Sequence, residues 1–255
     1  MPKIVAIHSF RGGTGKSNVT ANLAVTVAMR GNRVGIIDTD IASPGIHILF
    51  GLDEERIDRT LNDYLWGRNS IEDVAYDVSD ALNGRMSGRK TGAVMLVPSS
   101  MKAGEIARVL REGYDVDLLN DGYRDAIARL QLDYLFIDTH PGLNEETLLS
   151  IAVADVAVLI LRPDHQDFQG TAVAVDVARK LDVTKLVLVV NKALPDADSD
   201  ALERQVEATY DVPVAGVLPL TEDMVRLASG GIFVREYPDH PWSRTLTRIA
   251  DEIMQ

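Results

Sequence analysis

Residues 9–17 read Ser9-Phe10-Arg11-Gly12-Gly13-Thr14-Gly15-Lys16-Ser17, and this stretch decides the fold. An apolar, β-rich run, Ile4-Val5-Ala6-Ile7, leads into it. Residues 18–30 lead out with helical spacing, placing Leu23, Ala24, Val27 and Ala28 on one face, and Gly31 closes them as a left-handed cap. Strand, glycine-rich loop and helix form the context that a phosphate-binding loop requires. The pattern G-x-x-x-x-G-K-[ST] is met except at its first position, where Phe10 stands and Gly12-Gly13 supply the flexibility instead.

The chemistry follows from the residue types. Gly12, Gly13 and Gly15 carry no Cβ, so backbone N–H groups can close around a phosphate. The helix that follows points the positive end of its dipole at the same place. Lys16 is expected to reach the β- and γ-phosphates, and Ser17 to offer its hydroxyl to Mg²⁺. Thr14 and Asn18 complete the expected phosphate site.

A chain of 255 residues can bury a sizeable core as one α/β domain, and residues 1–255 are read as a single domain. The net charge of −12 disfavours unaided binding to DNA or anionic lipid, because the long-range field repels phosphates. The absence of cysteine excludes disulfides and thiolate-ligated zinc or iron–sulfur clusters within these residues. Residues 1–9 carry no signal-peptide pattern, and the apolar runs are too short to span a bilayer. A cytoplasmic protein is the expectation.

Short β-rich runs alternate with helical patterns throughout. Strands are expected at 3–9, 33–38, 93–97, 134–138, 156–161, 185–190 and 213–217. Helices are expected at 61–66, 102–111, 117–130, 144–152, 166–181, 198–210, 222–228 and 242–254. Residues 46–92 are the least regular part, with 71–78 ambiguous and 83–92 a Gly/Arg/Ser-rich loop. The strands carry continuous Val, Ile and Leu, so both faces should be buried. The expectation is one P-loop NTPase domain: a mostly parallel, twisted sheet of about seven or eight strands with helices on both faces.

In such a sheet, ligands lie beyond the carboxyl ends of the strands. The second strand ends in Asp38-Thr39-Asp40, and the run 134–138 ends in Asp138-Thr139-His140-Pro141-Gly142. Asp138 is the candidate to hold a Mg²⁺-bound water. Asp40 is placed to orient or deprotonate an attacking water. Asp38 could support the Mg²⁺ shell or brace the loop. With Ser17, these three carboxylates are the expected metal set. Base selection falls to Val190-Asn191-Lys192-Ala193-Leu194. Guanine-selective loops read N-K-x-D, and here Leu194 occupies the Asp position. Asn191 can still hydrogen-bond an adenine amino group, which favours ATP; a turn at the strand end is the alternative reading.

These motifs together carry a resemblance. Arg11-Gly12-Gly13-Thr14-Gly15-Lys16-Ser17 resembles the deviant Walker A motif, K-G-G-x-G-K-[ST], of the ParA/MinD ATPases. Asp38-Thr39-Asp40-Ile41 looks like their switch I, and Asp138-Thr139-His140-Pro141-Gly142 like their switch II. Gly216-Val217-Leu218-Pro219, followed by Val225-Arg226-Leu227-Ala228-Ser229, resembles their nucleotide-side C-terminal segment, which brings Pro219 into the site. The resemblance implies a slow, partner-stimulated Mg²⁺-dependent ATPase that forms a homodimer around ATP, releases it on hydrolysis, and positions or partitions a cellular cargo through an activator or adaptor protein. It implies the water role for Asp40, the Mg²⁺-water role for Asp138 and a dimer contact at Gly12.

Two departures bear on that expectation. The family's signature Lys, which reaches the partner subunit's phosphates, is Arg11 here. Arg is planar and not interchangeable with Lys, yet can act in trans as an arginine finger or instead pair with an acid. The chain also ends in Asp251-Glu252-Ile253-Met254-Gln255 rather than a basic amphipathic helix, which disfavours direct membrane binding. DNA binding stays open through a local basic patch, Arg85, Arg89, Lys90 and Lys102, which a solvated loop would equally explain. Two other functions compete: a P-loop metabolic ligase of the dethiobiotin-synthetase or cobyrinic-acid-amidating kind, and a nucleotide-binding regulator with little turnover.

Overall fold

The computed structural model describes residues 1–53, 55–82 and 92–255. In chain order the elements are β1 (Lys3–His8), α1 (Lys16–Ala28), β2 (Arg33–Asp38), α2 (Leu61–Leu65), β3 (Tyr76–Asp77), β4 (Ala93–Val97), α3 (Ala103–Glu112) and α4 (Val116–Arg129). They continue as β5 (Tyr134–Asp138), α5 (Glu145–Ala152), β6 (Val156–Leu161), α6 (His165–Lys180), β7 (Lys185–Ala193), α7 (Ser199–Tyr210), β8 (Val214–Pro219), α8 (Glu222–Leu227), α9 (Phe233–Glu236) and α10 (Pro241–Met254). One eight-stranded sheet results, in the order β3-β4-β2-β5-β1-β6-β7-β8. All of its strand pairs are parallel except β3–β4.

The continuous apolar runs are buried on both faces, as parallel strands between helices must be. Alternate residues of one strand serve opposite faces. Val34 and Ile36 of β2 join α1 and α10 in one core, while Ile37 joins Leu135, Ile137 and residues of α2 and α4 in another. Further along the sheet, Leu159 and Leu161 pack with α6 and α7. The ambiguous segment 71–78 forms a short 3₁₀ turn, Glu72–Val74, and the two-residue edge strand β3. Its pairing with β4 is antiparallel, Tyr76 opposite Leu96 and Asp77 opposite Met95.

The last helix is amphipathic but committed to the core. Trp242, Leu246, Ile249, Ala250 and Ile253 of α10 are all buried. No described helix is long and apolar enough to cross a membrane. Of the basic patch, Arg85, Arg89 and Lys90 lie outside the described residues, and Lys102 sits at the amino-terminal cap of α3.

β1 is central, with β5 on one side and β6 on the other. The chain leaves β1 toward β2 and reaches the other side only with β6. The carboxyl end of β1 is therefore the topological switch point, and the loop at 9–15 opens there.

Candidate functional site

Gly15 is the amino-terminal cap of α1, at φ +90°. An L side chain at that φ is strained, and a Cβ there would sit 2.6 Å from Asn191 Nδ2. Position 15 therefore takes only glycine. α1 has no side-chain cap and no acidic residue in its first turn. Its free N–H groups and dipole face an open cavity of about 330 Å³ lined by Ser9, residues 12–18, Asp40, Ser43 and Pro141.

Lys16 is buried, and its Nζ lies 2.8 Å from Asp138 Oδ1. The same oxygen accepts a hydrogen bond from Thr20 Oγ1 at 2.9 Å. Asp138 Oδ2 is buried with no partner. Two further buried polar atoms in the adjoining segments also lack partners, Thr14 Oγ1 and His8 Nε2. Orphaned polar atoms are costly to bury, and these three belong to the loop and to the ends of β1 and β5 beside it.

The carboxylates divide their tasks. Asp138 and Asp38 are in register on neighbouring strands. Burial, and then the adjacent Asp138 charge, raise the Asp38 carboxyl well above the usual range. Asp38 Oδ1 accepts the Asp40 N–H at 3.0 Å and Oδ2 accepts the Gly45 N–H at 3.4 Å. Both Asp38 oxygens thus accept from backbone amides of the loop 39–45, the contacts that a bracing role requires. Asp40 lines the cavity, accepts the Ser43 N–H at 3.2 Å, and has its carboxyl raised by burial. His140 Nε2 lies 3.7 Å from Asp40 Oδ1.

Among the described residues no three His, Cys, Asp or Glu side chains form a metal cluster. A Mg²⁺ ion fits this arrangement without one, since it keeps waters and takes few protein oxygens beside substrate phosphates. Ser17, on the cavity wall, and Asp138, with its unpartnered Oδ2, are the residues that would hold it.

A second cavity, of about 220 Å³, adjoins the loop beyond the ends of β7 and β8. Asn18, Asn191, Pro219 and Trp242 contribute to its lining, together with Leu220 and Val225. The expected pair Asn191 and Pro219 thus meets here from two strands. Asn191 Nδ2 donates to the Thr14 carbonyl at 2.7 Å, so the residue also holds the loop. Beside it, Lys192 takes φ +60° and its Nζ donates to the Gly13 carbonyl at 2.7 Å. Neither this loop-bracing role of Lys192 nor the pairing of His140 with Asp40 is legible in the sequence. The signals present were a Lys after an apolar strand and a His following Asp-Thr.

Arg11 does not line the phosphate cavity. Its guanidinium donates to Gln166 Oε1 on α6 of the same chain. Gly12 and Gly13 are exposed at the outer edge of the loop.

Residues 5–233 match the model of the CobQ/CobB/MinD/ParA nucleotide binding domain. An ATP-binding protein of Methanocaldococcus jannaschii is 28% identical over 251 residues, covering 98% of this chain and 87% of that protein. A cytosolic Fe-S cluster assembly factor of Culex quinquefasciatus is 27% identical over 269 residues, covering 98% of this chain and 96% of that one. The structure of the Pyrococcus horikoshii septum site-determining protein MinD complexed with Mg-ADP superposes with a TM-score of 0.79 at 23% identity, covering 99% of this chain and 96% of that chain. At that identity the superposition speaks for the fold.

Proposed function

The chain belongs to the CobQ/CobB/MinD/ParA nucleotide-binding family, and from that premise we propose that it is a Mg²⁺-dependent ATPase that works as a switch, dimerising with ATP to position or partition a cellular cargo. The Lys16–Asp138 pair carries this reading. A buried ion pair beside an open cavity, with one carboxylate oxygen left unpartnered, is an arrangement that a Mg²⁺-bound triphosphate would rearrange favourably: Lys16 turns to phosphate, and Asp138 is left to the metal's water shell. Bound Mg²⁺ would supply neutralisation of phosphate charge.

The chain's own residues do the rest. The N–H groups of residues 12–17 cradle the phosphates, and Asn191 and Lys192 hold that cradle by its carbonyls. Asp40, within reach of the cavity and poised by His140, orients the attacking water. A dimer through this face is supported by Gly12, where a Cβ would meet only Pro141 at 3.9 Å. Among the described residues nothing crowds a Cβ there, which leaves close approach of phosphate or of a second backbone as the reason for glycine. The cytoplasm is the compartment that suits such a switch, with an activator or adaptor protein setting its turnover.

Similarity to an Fe-S cluster assembly factor favours no cluster here, because these residues contain no cysteine to ligate iron. The deciding experiment is light scattering coupled to size exclusion on wild type and Asp40→Ala, with and without ATP and Mg²⁺. Asp40→Ala should be trapped as a dimer by ATP. A monomer under every nucleotide condition at high concentration would overturn the switch reading.

A further inference from the structure

Residues 10 and 11, the two positions where the phosphate loop departs from its expected pattern, both rest on α6. A methyl group at Gly170 would overlap the ring of Phe10, so that ring lies directly on the backbone of α6. One turn earlier on the same helix face, Gln166 Oε1 accepts the Arg11 guanidinium. An acid stands next to Gln166, but it is already engaged. Asp167 Oδ1 and Oδ2 take a two-pronged contact from Arg162, at 3.0 and 2.9 Å, and Oδ2 also accepts the Arg162 N–H at 3.0 Å. Arg11 thus donates a single hydrogen bond to a neutral, exposed amide oxygen, with the already paired Asp167 adding only a through-space attraction. Such a one-point bond is more readily exchanged than a two-pronged carboxylate pair.

We propose that Gln166 is a positioning residue that holds the Arg11 guanidinium on its own subunit until a second, ATP-bound subunit captures it. This rests on the dimerising-switch reading above. Phe10, seated on Gly170, keeps the arm beside α6 so that only the Arg11 side chain moves. Formation of the dimer must break two Arg11–Gln166 bonds, one in each subunit, so the equilibrium shifts toward monomer by twice the net worth of one bond. A charge-assisted hydrogen bond on the surface corresponds to roughly a three- to tenfold change in an equilibrium constant. The bond sets the protein concentration at which turnover switches on, not the rate of the assembled site.

The test is ATP turnover per subunit against protein concentration for wild type, Gln166→Ala and Gln166→Glu, each alone and combined with Arg11→Ala. Gln166 is exposed, and α6 keeps its Asp164 cap, so folding should be unaffected; thermal unfolding checks this. Gln166→Ala should lower the half-maximal concentration roughly ten- to a hundredfold, the square of the single-bond factor because both subunits release the bond, with maximal turnover unchanged. Gln166→Glu, which adds a charge to the hold, should raise it. Arg11→Ala should abolish both differences. A half-maximal concentration unmoved by either substitution, or a shift that persists without Arg11, would overturn the proposal while leaving the switch intact. Turnover independent of concentration, with wild type monomeric in ATP, would overturn the switch and this inference together.

Discussion

Lys16 Nζ lies 2.8 Å from Asp138 Oδ1 with both side chains buried, so the residue meant for phosphate is held by the residue meant for the metal. Each neutralises the other while the site waits. Removing one partner leaves an uncompensated buried charge, beside Asp38 in the case of Asp138. Lys16→Ala should therefore abolish ATP binding and also destabilise the nucleotide-free chain by about 3 kcal/mol in denaturant unfolding. Lys16→Ala combined with Asp138→Asn should regain most of that stability without regaining ATP binding. Equal losses in the single and double variants would show that the pair is not coupled.

Asn191 Nδ2 is engaged by the Thr14 carbonyl, while Oδ1 has no protein partner among the described residues. Asn191→Asp sets a carboxylate against that carbonyl and frees the loop. Nucleotide affinity should fall roughly tenfold, the worth of one buried hydrogen bond made repulsive. Calorimetric titration with ATP and GTP separates the two tasks. ATP and GTP should lose alike, because the substitution keeps an acceptor oxygen for the base and removes only the donor that holds the Thr14 carbonyl.

Arg11→Ala should keep ATP binding, since Arg11 lies off the phosphate cavity, and lower turnover at least tenfold if the guanidinium acts across the dimer. Unchanged turnover in a dimeric sample would remove that role. Gly12→Val addresses the same face from the other side. The variant should fold, because a Cβ at position 12 meets nothing closer than 3.9 Å among the described residues, and it should stay monomeric in ATP by light scattering, with calorimetric titration reporting whether the cradle still takes the nucleotide.

His8 is buried at the end of β1, and burial, then the Lys16 charge, lower its pKa to about 3. The folded chain therefore keeps His8 neutral where the unfolded chain binds a proton. With more protons on the unfolded state below pH 6.5, stability rises with pH between about 3 and 6.5 and this contribution is complete above. Between pH 7.5 and 5.0, wild type should lose about 2 kcal/mol more than His8→Asn. Parallel losses in urea unfolding would show that His8 is protonated in the fold.

Most of the sheet was legible because its signal is local. Continuous runs such as Val156–Leu161 can only be buried on both faces, and the glycine loop can only join a strand to a helix. The edge strand β3 was not legible, since two residues carry no periodicity and its pairing with β4 is a tertiary event. In the site, residue types announced Lys16, Ser17, Asp40 and Asp138. They did not announce Lys192, whose value lies in a left-handed backbone at the end of β7 that swings its Nζ onto Gly13. Nor did they separate the two readings of Asp38, which depend on where its oxygens point.

By itself the sequence determined the phosphate loop, the alternation of strand and helix, and the set of carboxylates at the strand ends, because short-range sterics and hydrophobic periodicity are written residue by residue. Only the tertiary structure decided which of those groups meet. The Lys16–Asp138 pair, the bracing of the loop by Asn191, and the hold of Gln166 on Arg11 join residues more than one hundred positions apart. Such contacts depend on the order of strands in the sheet and the angle of each helix upon it, which no local pattern encodes.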